Sequence, residues 1–574
     1  MTAPRTADTL LAMQYARFAS RSVFLALSLL SACAASDASN GASAAGVDYR
    51  AGAFGQYLAG RFAMAEADPD AGATALSRAV VLAPSEPDLI VQAFLANLAA
   101  ERPDALSLAR RVPDNQIAQL VLADEDMRAG RWDSAEKRYH ALPRQGLTQL
   151  LQPLLVAWSQ QGGGHTDAAL QTLRPFTENP RFRGIFALHA AMIADLAGRR
   201  TEAARYYDLV RGDASDTNLR LAQILASWLA RDGRPVEARQ LLSSVGDRVP
   251  EIRIAVRDLL VHIQERPVAS VADGVAETYV ALAAALRAQD QNDLALLMLH
   301  LAFRVRPDFA AARLLEEEIL TVEKHLGLAL KAVEAIPPKD PLTAMARLRR
   351  AALLAQLDRS DEAIDVLKRL GTEHPDSALP EMQLGDILRI KRRYEEAIAA
   401  YTKAIAHIDT PQKSDWAVFY DRGVAYERAG KWPLAEADLK LALQLSPGQP
   451  FVLNYLGYSW ADMGRNLGLA RDMIQAAAAA RQNDGAVTDS LGWVMFRQGD
   501  VASAVRTLER AVELEPEDST ITNHLGDVYY AAGRKLEARY EWKRALTLNP
   551  APEDVPKLED KLKNGPAAGS PRSR

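Results

Sequence analysis

The sequence predicts an all-α protein built as a solenoid of stacked helical hairpins. Alanine and leucine dominate the composition, whereas aromatic residues make up only 6% of it, and this balance favours helices throughout. Four glycines, Gly423, Gly457, Gly492 and Gly526, follow one another at intervals of 34, 35 and 34 residues. A self-similarity of this period is typical of hairpins that bury a continuous core by stacking. A chain of 574 residues is also longer than one ordinary core supports.

The N-terminal segment has the features of a secretory signal. Arg17 and Arg21 precede a short apolar stretch at residues 23–30, and small residues then lead to Cys33. A positive flank, a short apolar core and small residues before a cleavage point together define such a signal. The apolar stretch is much too short to span a bilayer as a helix. We therefore predict that residues 1–33 are a targeting segment.

The run Leu30-Ser31-Ala32-Cys33 resembles the lipobox of bacterial lipoproteins. The resemblance implies that the thiol of Cys33, the only cysteine of the chain, is lipidated and that the peptide is cut before it. An ordinary cleaved signal with a chance cysteine is the alternative. In the best-known sorting systems, an aspartate directly after the lipidated cysteine retains a lipoprotein on the inner membrane. Ala34 stands at this position, so the resemblance implies delivery to the outer membrane of a Gram-negative bacterium, facing the periplasm. Met13 is an alternative start of the chain.

The most regular repeats lie between residues 377 and 550. Downstream of each glycine come a turn, an alanine, a large residue four positions later and a second alanine three further on. The copies are Ala397/Tyr401/Ala404, Ala435/Leu439/Ala442, Ala504/Leu508/Ala511 and Ala538/Trp542/Ala545. Small residues let two helices approach closely, and the large residue fills the gap beside them. Glycines such as Gly430 and Gly533 supply the C-cap of the first helix, and prolines such as Pro516 end the second helix.

These residues resemble the tetratricopeptide repeat (TPR), and the resemblance implies a right-handed superhelical solenoid. Weaker copies upstream bring the expected total to about eleven or twelve TPR-like hairpins, with a joint between two lobes near Pro267. The predicted divisions are a lipoprotein signal peptide with its lipobox at 1–33, a flexible tether at 34–50, an irregular N-terminal lobe at 51–265, degenerate repeats at 274–376, a regular array at 377–550, and a capping helix with a disordered tail at 551–574.

Neither an enzyme active site nor a cofactor or metal site is apparent in the sequence. The nine histidines lack the i, i+4 spacing with glutamate that zinc hydrolases use. Phosphate-binding loops, dinucleotide-binding glycine patterns and nucleophile elbows are absent from the sequence. A net charge of −5 offers no basic stripe for nucleic acid. We therefore expect a non-enzymatic protein that uses no cofactor and no metal, and that binds other proteins rather than nucleic acid or a small-molecule substrate.

The first helices of the hairpins are expected to line a concave protein-binding groove. Successive residues of a helix are turned by about 100°. On this basis, the residues one and five positions after each repeated glycine, and six positions before it, point into the groove. The residues three positions before the glycine and four positions after it lie at the edges of the groove. The rule selects Tyr420, Val424, Phe451, Asn454, Tyr458, Asp489, Trp493, Phe496, Arg497, Asn523, Asp527 and Tyr530. Aromatic residues beside Asn and Arg dominate many interfaces. The alternative is that individual members pack against the first helix of the neighbouring hairpin.

The signal, tether and repeats together resemble the large TPR lipoproteins of the Gram-negative outer membrane. The resemblance is most specific in Asp489-Ser490-Leu491-Gly492-Trp493 and Asn523-His524-Leu525-Gly526-Asp527. One member type binds a periplasmic carboxyl-terminal processing protease and brings peptidoglycan hydrolases to it. This implies an adaptor for a periplasmic protease or cell-wall enzyme, held at the membrane through its lipid only. The alternative function is a structural assembly factor for an exopolysaccharide-export or pilus machine.

Overall fold

The computed structural model describes residues 52–146, 148–213 and 218–566. Within these ranges the chain forms thirty α-helices, one short 3₁₀ turn at Lys413–Asp415 and no strand. Cys33, the predicted tether and the last eight residues of the predicted tail lie outside the described residues. Among the helices that are described, none combines the length and the apolarity that crossing a bilayer requires.

Thirteen helices form the first half of the described chain, and the first twelve pair as six consecutive hairpins. They are α1 (Ala53–Ala65), α2 (Pro69–Leu82), α3 (Pro87–Ala99), α4 (Asp104–Ala109), α5 (Gln116–Arg128), α6 (Trp132–Ala141), α7 (Thr148–Gly162), α8 (Thr166–Thr177), α9 (Arg183–Leu196), α10 (Arg200–Asp213), α11 (Leu219–Arg231), α12 (Pro235–Arg248) and α13 (Pro250–Val261). Helix α13 has no hairpin partner of its own and packs against a helix of the second half.

The second half contains eight further hairpins and a final single helix. Its helices are α14 (Val271–Arg287), α15 (Asn292–Val305), α16 (Ala310–Val322), α17 (Leu326–Glu334), α18 (Thr343–Gln356), α19 (Ser360–Glu373), α20 (Leu379–Ile390), α21 (Tyr394–Ile405), α22 (Trp416–Arg428), α23 (Trp432–Leu445), α24 (Pro450–Asp462), α25 (Leu467–Ala480), α26 (Gly485–Arg497), α27 (Val501–Leu514), α28 (Ser519–Ala531), α29 (Lys535–Thr547) and α30 (Val555–Asn564). The all-α solenoid is confirmed, with fourteen hairpins in the described chain instead of eleven or twelve, because short pairs such as α3 and α4 leave little periodic trace.

The repeated glycines do hold paired helices close together. A Cβ atom built on Gly526 would lie 2.5 Å from the indole nitrogen of Trp542, and one on Gly492 would lie 2.6 Å from Cγ of Leu508. Trp542 and Leu508 are themselves fully buried. The alanines predicted beside them are buried as well in all four copies. The predicted register of the regular hairpins is therefore confirmed.

The turns within hairpins end the first helix as the sequence predicts. Gly430 and Gly533 adopt φ angles of +73° and +83°, a left-handed conformation that glycine enters without steric penalty. The turn between α24 and α25 contains two left-handed residues, Gly464 and Asn466. This turn absorbs the one extra residue of the 35-residue repeat, because α24 and α25 keep the lengths of the corresponding helices in the other regular hairpins.

The hairpin α14–α15 packs into the N-terminal hairpins rather than only against its neighbours in sequence. Helix α14 contacts α7 and α9, and α15 contacts α3 and α5. The buried carboxylate of Asp124 accepts hydrogen bonds from the hydroxyl groups of Tyr139, at 2.6 Å, and of Tyr279 on α14, at 2.9 Å. Burial raises the pKa of Asp124 to about 7, against the lowering effect of these two hydrogen bonds. The division that we predicted between residues 265 and 274 remains a prediction, but hydrophobic packing is continuous across it.

Further along the chain, a second hydrophobic cluster extends from α11 to α26 and joins α13 to α18. A third cluster belongs to the last two hairpins and is closed by α30, whose Leu558 is buried against it. The exposed face of α30 is polar and includes Lys557, Glu559 and Asp560. Helix α30 thus covers the C-terminal end of the array with a solvated surface, as the terminal unit of a repeat protein needs to do.

Candidate protein-binding groove

The first helices of the last four regular hairpins, α22, α24, α26 and α28, carry all the residues that we predicted for the groove. Seven of them are half-buried: Tyr420, Phe451, Asn454, Tyr458, Arg497, Asn523 and Tyr530. The other five are buried by the chain itself: Val424, Asp489, Trp493, Phe496 and Asp527. The half-buried set is therefore partly exposed to solvent, whereas the buried set is not.

Four side chains from three successive first helices meet and form what we call the Trp493 cluster. Its members are Tyr458 on α24, Asp489 and Trp493 on α26, and His524 on α28. The imidazole Nδ1 of His524 lies 2.9 Å from Oδ1 of Asp489. The His524 ring stacks on the Trp493 indole, with 4.2 Å between the ring centroids. The centroid of the Tyr458 ring lies 6.3 Å from that of His524. The cluster therefore fixes the three helices relative to one another at the centre of the predicted groove.

The pair of His524 and Asp489 gives this cluster a charge that depends on pH. Burial by itself would lower the pKa of His524, but the adjacent Asp489 carboxylate outweighs burial, so the pKa is raised above its usual value. Burial, followed by the charge of Asp489, also raises the pKa of the Tyr458 phenol. His524 is thus held towards its protonated form, in which both ring nitrogens are donors.

Sequence reasoning passed over His524, because a lone histidine on a helix is most often a packed one. A signal was nevertheless present. His524 follows Asn523, which stands in the same repeat position as Asp489, and the two partners are 35 residues apart. In a stacked array, residues about one repeat apart face each other on neighbouring first helices. Comparing residues across repeats therefore finds this pair, whereas a search for local motifs does not.

Two polar atoms on the groove helices α22, α24, α26 and α28 are buried and have no hydrogen-bond partner in the described part of the chain. They are the side-chain carbonyl oxygen of Asn454 on α24 and the indole nitrogen of Trp493 on α26. An unsatisfied buried polar group typically destabilises a fold by about 1–3 kcal/mol. Asn454 lies one helical turn before Tyr458, so this acceptor is close in sequence to the Trp493 cluster. Both atoms are enclosed by the chain and are not open to solvent.

At the last hairpin, the predicted groove residues contact the capping helix α30. The ammonium group of Lys561 donates to Oδ1 of Asn523 at 2.9 Å and to Oδ2 of Asp527 at 2.6 Å. The second oxygen of Asp527 accepts from the indole nitrogen of Trp542 at 3.0 Å. Tyr530 lies beside the Trp542 ring with 5.7 Å between centroids. The polar groups of Asn523 and Asp527 are therefore engaged in capping the array.

The remaining predicted residues lie around the Trp493 cluster. Tyr420 packs edge-on against Tyr455 on α24, with 5.8 Å between ring centroids, and the Phe451 ring lies 4.5 Å below the guanidinium carbon of Arg481. Phe496 is only 1% exposed and belongs to the hydrophobic cluster of the last two hairpins. Its ring consequently does not reach the surface. The predicted aromatic residues thus do not form one continuous exposed series, because Trp493 and Phe496 are buried, whereas the half-buried ones are Tyr420, Phe451, Tyr458 and Tyr530.

The only grouping of potential metal ligands in the described ranges consists of Glu101, His300 and Glu316. The guanidinium of Arg313 lies among these groups and donates to Glu101 at 2.5 and 2.6 Å and to Glu316 at 3.0 Å. Burial raises the pKa of Glu316 to about 7 despite the charge of Arg313. Both carboxylates are therefore already partnered by a cation of the chain, and we interpret the group as an ion-pair network that ties α16 to the N-terminal hairpins.

Comparison with known proteins supports the repeats in two segments. Residues 490–552 match the family model described as tetratricopeptide repeat, and residues 271–418 match the one described as tetratricopeptide repeat-like domain. A TPR repeat-containing protein of Pseudomonas aeruginosa is 29% identical over 210 residues, which are 36% of this chain and 34% of that relative. The alignment thus spans about a third of the length of the curated relative.

Two solved structures align with much of this chain at low identity. The Cut9–Hcn1 hetero-tetramer of the APC/C aligns with 90% of this chain and 97% of its own, at 14% identity and a TM-score of 0.38. Yeast Tom70 aligns with 78% of this chain and 95% of its own, at 13% identity and a TM-score of 0.32. The two segments that match the family models, residues 271–418 and 490–552, are thus similar to tetratricopeptide repeats, and both lie in helical hairpins of the structure.

Proposed function

We propose that this chain is a non-enzymatic adaptor that is anchored through Cys33 to the periplasmic face of the outer membrane. It recruits a periplasmic protease or a cell-wall hydrolase together with a client protein. The tetratricopeptide repeats support binding to other proteins in general. The lipobox-like run at Cys33 and the resemblance to outer-membrane TPR lipoproteins support the location and the class of partner.

The observation that carries the proposal is the half-buried first-helix surface around Asn454 and Tyr458. The half-buried Tyr458 ring, one helical turn from Asn454, offers a partner apolar contact at this surface. Aromatic residues contribute a large share of the energy at interfaces. The other members of the Trp493 cluster hold the Tyr458 ring in place, so a partner segment binds without having to order the groove first.

An adaptor of this kind acts by raising the local concentration of two proteins. If the protease binds one part of the solenoid and the client another, their encounter becomes intramolecular. Effective concentrations in the millimolar range are usual when the connecting geometry fits. No group of the adaptor then needs to take part in the hydrolysis.

Crosslinked capture from envelope extracts tests the proposal. Asn454→Ala truncates a half-buried groove side chain whose carbonyl oxygen has no hydrogen-bond partner in the described part of the chain, so it should leave the fold intact while removing contact surface for the partner. Tyr458→Ala has the larger effect on capture. Tyr540→Ala is the matched control, since Tyr540 is an exposed aromatic residue on the second helix α29.

Capture of a protease or cell-wall hydrolase that both groove variants reduce and the control retains would support the adaptor. Export or pilus components captured through the same residues would instead favour the assembly-factor alternative. Capture that is identical for all variants would reject this groove as the site.

A further inference from the structure

The first described helix, α1, exposes an apolar face that the other described residues leave uncovered. Phe54, Leu58 and Phe62 are 70%, 49% and 68% exposed, respectively. They are spaced at i, i+4 and i+8, which places them one above another on the same side of a helix. Val81 and Leu82, at the end of α2, are exposed as well. Since α2 returns alongside α1, these two residues lie at the end of the hairpin where Phe54 begins α1.

The opposite side of α1 is fixed by its packing on α2. Gly60 faces Leu76, since a Cβ atom on this glycine would lie 2.5 Å from Cγ of that side chain. Gly72 of α2 is in turn covered by Met64. The inner face of α1 is therefore set by close contacts, and its outer face cannot turn inward. Arg61 is the only charged residue within the helix.

The two terminal helices of the described array differ in the polarity of their exposed faces. The last helix, α30, turns Lys557, Glu559 and Asp560 to solvent, as a terminal repeat normally does to keep the protein soluble. The first helix turns two phenylalanines and a leucine to solvent instead. Large exposed apolar patches on soluble proteins mark sites of contact with proteins or membranes. This asymmetry indicates that the N-terminal end meets an apolar surface.

We propose that the Phe54/Leu58/Phe62 face of α1 lies in the interfacial region of the lipid bilayer. The proposal rests on the anchoring at Cys33 that forms part of the proposed function. Gly52, where the described chain begins, is 19 residues from Cys33. Nineteen residues span at most about 65 Å when fully extended. A lipid on Cys33 therefore holds α1 within reach of the membrane surface, and an apolar helix face adds its own membrane affinity to that of the lipid.

Two other occupants fit this face less well. A helix of 13 residues is about 20 Å long and about 10 Å wide, so its face covers roughly 200 Å². A standard interface buries about 800 Å² on each partner, and a second copy docked through α1 alone falls well short of that. Residues 34–46 would be an equally poor cover, because they consist of small and polar amino acids, and only Val47 and Tyr49 among residues 47–51 have large apolar or aromatic side chains.

Flotation with phospholipid vesicles tests the proposal without relying on the lipid anchor. The chain from residue 34 onward, which keeps every described helix, is mixed with vesicles of phosphatidylethanolamine and phosphatidylglycerol at a 3:1 ratio. The test variant combines Phe54→Ser, Leu58→Ser and Phe62→Ser. The matched control combines Val236→Ser, Leu434→Ser and Leu536→Ser, three exposed apolar residues on second helices.

We expect the unsubstituted chain and the control to float with the vesicles and the α1 variant to bind at least about tenfold more weakly. Circular dichroism of all three chains confirms that the variants remain folded. Equal vesicle binding by the α1 variant, or no binding by the unsubstituted chain, would overturn the proposal. A chain that self-associates in sedimentation through Phe54, Leu58 and Phe62 but ignores vesicles would instead assign the face to a second copy.

A tryptophan reporter gives an independent readout of depth. Phe62→Trp should gain fluorescence that brominated lipids quench, whereas Tyr540→Trp on α29 should gain fluorescence that they leave unchanged. Equal quenching at both positions would contradict the proposed orientation. Neither experiment involves the groove at Asn454 and Tyr458, so failure here leaves partner capture untouched, and failure of partner capture leaves this result standing.

Discussion

The close approach of paired helices at the repeated glycines makes Gly526→Ala a sharp test of the packing. The added Cβ atom would lie 2.5 Å from the indole nitrogen of Trp542 and 3.2 Å from the carbonyl oxygen of Ala538. Trp542 is fully buried and its nitrogen donates to Asp527, which also accepts from Lys561. The indole therefore cannot move aside without disturbing the link between α28, α29 and the capping helix α30.

The expected effect follows from two opposing contributions. Overpacking of a filled core typically destabilises by about 1–3 kcal/mol, and weakening the hydrogen bond from Trp542 adds about 1 kcal/mol. Replacing a mid-helix glycine by alanine stabilises the helix by about 1 kcal/mol, because alanine has the higher helix propensity. We therefore expect Gly526→Ala to destabilise the last hairpin by about 1–3 kcal/mol, although alanine is the better helix former.

Hydrogen–deuterium exchange measured by mass spectrometry is the appropriate assay, since a solenoid opens hairpin by hairpin. Each 1.4 kcal/mol corresponds to about a tenfold change in the opening equilibrium. Amides of α28 and α29 should exchange about tenfold or more faster in Gly526→Ala, while those of the N-terminal hairpins should be unchanged. The matched control is Gly468→Ala on α25, where no atom lies within 4 Å of the added Cβ, and exchange there should be equal or slower. Unchanged or slower exchange of α28 in Gly526→Ala would refute the packing argument.

Three further predictions concern titration, packing and anchoring. Burial raises the pKa of Asp124 from its usual value of about 3.8 to about 7 in the native state, so the free energy of unfolding falls by up to about 4 kcal/mol as pH rises through this window. The melting temperature of Asp124→Asn relative to wild type should therefore rise between pH 4 and pH 8, and a pH-independent difference would contradict this. The pKa of His524 is raised, so the stabilisation from its pair with Asp489 is fully present below about pH 6.5 and is lost as pH rises through the native pKa. The decrease in melting temperature caused by His524→Gln should therefore be larger at pH 6 than at pH 9, and a larger decrease at pH 9 would count against the pair. In a chain that already carries Phe54→Ser, Leu58→Ser and Phe62→Ser, Cys33→Ser should move the protein from the membrane fraction to the soluble periplasm, and unchanged fractionation would argue against lipidation.

Trp493 illustrates how the structure changes the choice of variants. Its position in the repeat suggested a groove residue that tolerates truncation, yet its side chain stacks on His524 and is only 8% exposed. Truncating a large buried aromatic side chain typically destabilises a protein by about 3–5 kcal/mol. Loss of binding in Trp493→Ala would therefore mix loss of contact with loss of structure, whereas Asn454→Ala does not.

The sequence was informative wherever one repeat predicts the next. The period of the glycines placed the buried alanines of the regular hairpins, because every copy solves the same packing problem between two adjacent helices. The hydrogen bond between α14 and α5 left no such trace, since Tyr279 and Asp124 are 155 residues apart and their contact occurs once. The pair of His524 and Asp489 was partly predictable. It joins neighbouring repeats, but it uses residue types that the other repeats lack.

The measurement that tests the central claim most directly is photocrosslinking in living cells from position 458. Tyr458 is replaced by the photoreactive amino acid p-benzoylphenylalanine, and Tyr540 is replaced in the same way as the control. The account predicts that position 458 crosslinks to one or a few envelope proteins, among them a protease or cell-wall hydrolase, while position 540 does not. Crosslinks to the same proteins at 540 but none at 458 would contradict the assignment of the first-helix groove as the binding surface.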